Sequence, residues 1–180
     1  MSTNSRALEK HATEVARCAR LTAQRLGLSA AEVDRVELAA LLHDVGKTTI
    51  PDSVLGKPGQ LDPDEWRLMR THTLVGERIV LGAAPLAHVA DLVRSSHERI
   101  DGTGYPDGLA GDAIPRGARI IAVCDAFDAM TTNRPYRAAI PRLAALAELR
   151  RGSGKQFDAL VVDAFSAATV SSPVHLAQAM

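Results

Sequence analysis

Leu41-Leu42-His43-Asp44-Val45-Gly46-Lys47 is the point where an apolar helix runs into an imidazole, a carboxylate, a glycine and a lysine. Adjacent neutral-nitrogen and anionic-oxygen donors at the end of an apolar run suit a divalent first-row metal better than they suit a core. An ordinary helix end gives the same pattern, with His43 near the last carbonyls, Gly46 as the terminating residue and Asp44 in solvent. The pair alone does not separate these readings. Its company along the chain does.

Upstream, Ser29-Ala30-Ala31-Glu32 is a capping box that starts the helix carrying Val36, Leu38, Ala39, Leu41 and Leu42 to its end at His43 and Asp44. Gly27-Leu28 closes an earlier helix, roughly Arg6 to Leu26. Its stripe of Leu8, Ala12, Val15, Cys18, Ala19 and Leu26 is interrupted only by Thr22, and His11 lies beside it. Lys47 to Leu61 holds two prolines and two glycines and reads as an ordered loop. Asp62-Pro63-Asp64-Glu65 is then a strong helix start. The spacing predicts one helix carrying Trp66, Met69, His72, Val75, Ile79 and Val80, with His72 on or near its packed side.

A further helix is expected from about Leu86 to Ser96, ending at His97. Asp101-Gly102-Thr103-Gly104-Tyr105-Pro106-Asp107-Gly108 follows, too long for a simple turn and typical of a binding loop or lid. Arg116 to Met130 is an apolar helix interrupted by Asp125 and Asp128, three residues apart and so on one face. A carboxylate turned toward a core needs a cation or donors. Helices from Ile140-Pro141 to about Arg151 and from Phe157 to Ala168 complete an all-α bundle of about six to seven helices, residues 1–168, with a tail over 169–180.

At 180 residues the chain is long enough to bury a core without staples, and few aromatics beside much Ala, Leu and Val fit helix-on-helix packing. Equal numbers of acidic and basic residues leave no bulk field for nucleic acid or an anionic membrane, so affinity for phosphate must be local. Cys18 and Cys124 have neither the number nor the spacing of a disulfide framework or zinc knuckle and read as buried thiols. No apolar stretch approaches the roughly 20 residues a spanning helix needs. A soluble, cytoplasmic protein is expected.

His11, His43, Asp44 and Asp125 thus stand as polar groups on packed helical faces, and a helical bundle can bring such ligands together from facing helices. With them in place, the chain resembles the HD superfamily of metal-dependent phosphohydrolases and, within it, the HD-GYP group of cyclic di-GMP phosphodiesterases. His11 resembles the first-helix ligand, His43-Asp44 the name-giving pair, His72 the next histidine, Asp101 to Pro106 the loop motif and Asp125 the distal aspartate. Asn133-Arg134-Pro135-Tyr136-Arg137 resembles the phosphate-binding segment.

The resemblance implies an HD-type bundle with loops over a centre of one or two divalent ions, iron or manganese. Its ligands would be His11, His43, Asp44, His72, His97 and Asp125, with Asp44 bridging. It implies catalytic roles for Asp44 and Lys47, and substrate contacts from Lys47, Tyr105, Arg134 and Arg137. Of the two arginines Arg134 is preferred, either being otherwise a solvated loop charge; Tyr105 either stacks on a guanine or packs the loop down. Cyclic di-GMP is the implied substrate, opened to pGpG and GMP. A signalling protein docked at the loop is a further implied partner, and apolar residues on the first and last helices could serve a homodimer.

Two departures stand out. Where the group carries two adjacent histidines this chain has Ser96-His97, which removes one ligand and puts the second metal position in question. Where some members place a glutamate for a third metal this chain has Ala7. The alternatives are therefore a weak or inactive module that binds the dinucleotide or a partner, and a phosphohydrolase for another nucleotide. Asp128 is a supporting or packing carboxylate in this reading, and His88 and His175 are structural or solvated.

Overall fold

The computed structural model describes residues 3–133 and 138–170. Arg134 and Arg137, with the two residues between them, and the tail beyond residue 170 lie outside the described residues. The described chain is helical: α1 (Thr3–Arg25), α2 (Ala30–Leu42), α3 (Asp52–Leu55), α4 (Pro63–Arg70), α5 (His72–Leu81), α6 (Ala90–Arg94), α7 (Arg116–Thr131), α8 (Arg142–Arg151) and α9 (Ala159–Val170). Short 3-10 segments over Val45–Thr49, Ala84–Val89 and Gly111–Ala113 join them. Only isolated bridges occur in place of a sheet among the described residues.

Both expected capping boxes form. Ser29 and Asp62 each accept from the backbone three residues on, while Glu32 and Glu65 reach back to the cap. The single helix expected from Asp62 to Val80 is instead two, α4 and α5, which meet at Thr71. The break has a packing reason. No residue of α4 is buried and Trp66 stays 46% exposed, whereas α5 buries His72, Thr73, Gly76 and Val80. Ending α4 early lets α5 turn into the bundle and carry His72 inward. That break, and the short α3 inside the expected loop, raise the count from the expected six or seven to nine among the described residues.

The core is built around α1, which packs against α2, α7 and α9. Val15, Ala19 and Ala23 of α1, Val36 and Ala39 of α2, Ile120, Ile121 and Cys124 of α7 and Phe165 of α9 are buried there. Phe127 and Phe165 close it with an edge-on contact at 4.8 Å between ring centres. Cys18 and Cys124 are free, buried thiols, and burial pushes the Cys18 thiol up to about 11. Small residues on α1 let α7 lie close, and that closeness sets His11 opposite Asp125 and Asp128.

Candidate metal centre

His43 caps the C-terminal end of α2 and is fully buried. Its Nδ1 donates to the carbonyl of Ala40 at 2.7 Å, which fixes the tautomer and leaves the Nε2 lone pair facing inward. His72, the first residue of α5, repeats the device with the carbonyl of Met69 at 2.7 Å. His11 donates from Nδ1 to Asp128 Oδ2 at 2.5 Å, a carboxylate holding an imidazole in orientation. Asp128 therefore supports the centre through His11, and the three-residue spacing from Asp125 was the sequence signal for it.

The free nitrogens converge on Asp44. Its Oδ1 lies 3.6 Å from His43 Nε2 and 3.5 Å from His72 Nε2, and its Oδ2 lies 3.8 Å from His11 Nε2. Asp125 Oδ1 is 3.3 Å from His11 Nε2 and 3.9 Å from His43 Nε2. Two ligand groups share the carboxylate: His11, His43 and Asp44 on one side, and Asp44, His72 and His97 on the other, each set of atoms lying within 4.8 Å of one another. Ligands of one ion at about 2.0–2.2 Å sit within roughly 4.4 Å of each other, so each group needs only slight contraction to hold a metal.

Satisfaction of polar atoms is the test of that fit. His43 Nε2, Asp44 Oδ1, His72 Nε2 and His97 Nε2 are all buried without a hydrogen-bond partner. Each such atom costs free energy unless something pairs with it, and four pointing into one space mark a cation position.

The charges agree. Burial alone would raise the Asp44 carboxyl, but His43 and Lys47 outweigh it and hold the group well below the carboxylate range. Asp125 is held low in the same way, against burial, by its hydrogen bond to His11 and by the neighbouring imidazoles. His11 is the exception: burial pushes it down, yet hydrogen bonds to Asp125 and Asp128 raise it to about 9, so it must give up a proton before its Nε2 can ligate an ion. Burial dominates at His97 and takes it down to about 3, so that imidazole is a neutral donor of its lone pair.

Lys47 Nζ lies 2.6 Å from Asp44 Oδ2 and is a quarter exposed, at the rim of a cleft of about 1220 Å³ that has His11, Asp44, His72, His97 and Asp125 in its wall. Tyr105 stacks on His97, with ring centres 5.1 Å apart and planes 8° apart. Ser96 is buried and donates to the carbonyl of Val93 at 2.9 Å, so its oxygen is committed to its own backbone.

The loop that carries Tyr105 is held from below by Glu98, a residue the sequence did not single out. Its buried carboxylate accepts from the backbone N–H groups of Asp107 at 2.7 Å, Gly108 at 3.1 Å and Leu109 at 3.1 Å. Asp101 folds the start of the loop by accepting from Thr103 and Arg99. A Cβ on Gly104 would sit 2.4 Å from the backbone nitrogen of Arg99, so only glycine fits there. Glu98→Ala removes the acceptor that three loop N–H groups share and is expected to cost about 2–3 kcal/mol, since bonds to a charged acceptor are worth roughly 1.5–3 kcal/mol. A chemical denaturation curve checks this; a midpoint equal to that of the wild type would show that the loop does not hang on Glu98.

A sequence model of the HD domain matches residues 1–161. The chain belongs to the HD domain family, and its resemblance to the HD-GYP group is carried by named relatives. Over 146 residues it is 50% identical to the cyclic di-GMP phosphodiesterase response regulator RpfG of Xanthomonas campestris, covering 80% of this chain and 39% of that protein. Over 137 residues it is 43% identical to 3'3'-cGAMP-specific phosphodiesterase 3 of Vibrio cholerae, covering 76% of this chain and 30% of that one. The chain thus spans well under half the length of either relative. Among solved structures, Bd1817, an HDG"Y"P protein from Bdellovibrio bacteriovorus, shares the fold with a TM-score of 0.75 at 20% identity, over 94% of this chain and 55% of that one. No helix among the described residues is long and apolar enough to cross a membrane.

Proposed function

We propose that this chain is a metal-dependent phosphodiesterase that opens cyclic di-GMP to linear pGpG and on to GMP in the cytoplasm. The observation that carries the reading is the set of four buried, unpartnered ligand atoms around Asp44 at the wall of a wide cleft. His11, His43, Asp44 and Asp125 would hold one ion, and Asp44, His72 and His97 a second. Mixed imidazole and carboxylate donors suit iron or manganese. The chemistry such ions supply when bound is activation of water near neutral pH and neutralisation of phosphate oxygens.

The chain's own residues do the rest. Asp128 and the carbonyls of Ala40 and Met69 orient the imidazoles. Lys47 presents an ammonium at the cleft rim, where the scissile phosphate enters, and Tyr105 walls the cleft beside His97. Arg134 and Arg137 are assigned to substrate phosphate from the sequence motif alone. RpfG and the Vibrio relative, named for cyclic di-GMP and 3'3'-cGAMP, support a cyclic dinucleotide as substrate.

The test is turnover by manganese- or iron-loaded protein, followed by chromatography. Conversion of cyclic di-GMP to pGpG is the expected result; intact cyclic di-GMP with metal bound would overturn it. Ser96 favours a second reading, a module that binds the dinucleotide, or docks a signalling partner at its exposed loop, with little turnover. Cleavage of 3'3'-cGAMP in place of cyclic di-GMP would instead support the phosphohydrolase for another nucleotide.

The two metal positions are unequal by construction, because Ser96 contributes no ligand to the second. Ser96→His is expected to strengthen the weaker binding step at least about tenfold, the low end of what even outer-shell partners are worth. Calorimetric titration with Mn²⁺ reads this directly. An unchanged weaker step would mean that position 96 does not face the ion.

A further inference from the structure

A second cavity, of about 420 Å³, lies behind the wall of the main cleft. Trp66, His97, Tyr105 and Asp125 line both spaces, so the two chambers share a partition that includes candidate metal ligands. A cyclic dinucleotide carries its two bases on opposite sides of the sugar-phosphate ring. With a phosphate at the ligands, one base is within reach of each chamber in an extended conformer of the ring. The volume lies within the range of small-ligand pockets, roughly 300–1,000 Å³.

The walls suit a flat heterocycle. Trp66 is 46% exposed, and the Arg70 guanidinium, one turn along α4, lies 6.0 Å from its ring centre and 5.3 Å from that of Tyr105. Ser96 stands in the lining where a histidine would take up volume. Arg70 differs from the arginines nearby. Arg94 is committed to Asp107 and Glu77, and Arg99 to Asp101, whereas Arg70 is exposed and makes no ion pair with the described residues. A guanidinium with its fork of donors free matches the O6 and N7 acceptors on one edge of guanine, an edge where adenine replaces one acceptor with a donor.

We propose that this smaller cavity seats one purine base of the substrate, and that Arg70 selects guanine there by donating to O6 and N7. The proposal rests on the cyclic dinucleotide reading of the site. It adds a specificity-determining residue and the base that residue recognises.

Trp66 is the only tryptophan in the chain, so its fluorescence reports the partition without any need for turnover. Metal-loaded protein is titrated with GMP and, separately, with AMP. Saturable quenching by GMP is expected. Arg70→Gln is expected to raise the half-saturating GMP concentration at least about tenfold, the order of one bidentate base contact, while shifting AMP by less than about threefold. Arg70→Lys keeps the charge but loses the fork and is expected to behave like Arg70→Gln.

Three results overturn the proposal: emission insensitive to GMP, equal shifts for GMP and AMP in Arg70→Gln, or wild-type GMP affinity in Arg70→Lys. Failure of the phosphodiesterase reading looks different. There the wild type binds GMP as expected and leaves cyclic di-GMP intact.

Discussion

Replacing Asp44 with asparagine is expected to cut cyclic di-GMP turnover at least about a thousandfold, and to weaken metal binding at both positions together. The reason is geometric. One carboxylate faces both ligand groups, with Oδ1 at 3.5–3.6 Å from His72 and His43 and Oδ2 toward His11 and Lys47. An amide removes the anion, and its N–H donors can occupy the imidazole lone pairs that an ion would need. Bound metal is worth several kcal/mol of transition-state stabilisation, which is about a thousandfold or more in rate. Metal content and rate are measured on the same preparation. The fold is expected to persist, because the core around α1 does not involve Asp44. A folded variant that keeps both metals and more than about a tenth of the rate would remove Asp44 from the centre.

Gly46→Ala has the second large effect, and it acts through the backbone. A Cβ at this position would lie 1.9 Å from the carbonyl oxygen of His72 and 2.6 Å from the backbone nitrogen of Gly76. Neither atom belongs to a flexible side chain, so the Val45–Thr49 segment and α5 must move apart. Gly46 has no positive φ. Its use is close approach, and it does not serve as the left-handed helix terminator that the ordinary helix-end reading gave it. Overpacking of this kind costs about 3 kcal/mol, which for a chain of this size lowers Tm by roughly 6–12 °C. The same separation withdraws His72 from Asp44, so the weaker metal step should fade before the stronger one. A scanning calorimetry trace and a Mn²⁺ titration check both parts; an unchanged Tm would mean that the two segments can separate without cost.

Local chemistry was legible in the sequence wherever a residue acts on its own neighbours. Ser29 and Asp62 were readable as caps because a capping box is complete within four residues. Helix periodicity put Asp125 on a packed helix and His11 beside an apolar stripe, but the ligand set that joins them came from the family resemblance. The helix break at Thr71 was not readable, since neither proline nor glycine marks it and its cause is the packing of α5 against the Val45–Thr49 segment. Trp66 and Ile79 stay partly exposed although the spacing counted them on the packed stripe. Glu98 looked like one more charge in a polar stretch. Its role exists only because the loop folds back so that three N–H groups return to it from nine to eleven residues away. Arg70 gave no sequence signal at all, because its significance is a missing partner in three dimensions.

Titration of metal-stripped protein with Mn²⁺ tests the central claim most directly, that Asp44 stands between two unequal metal positions. Two binding steps are predicted, the weaker one lost in His97→Ala, the stronger one lost in His43→Ala, and both weakened in Asp44→Asn. Absence of binding, or a single step indifferent to Asp44, would contradict it.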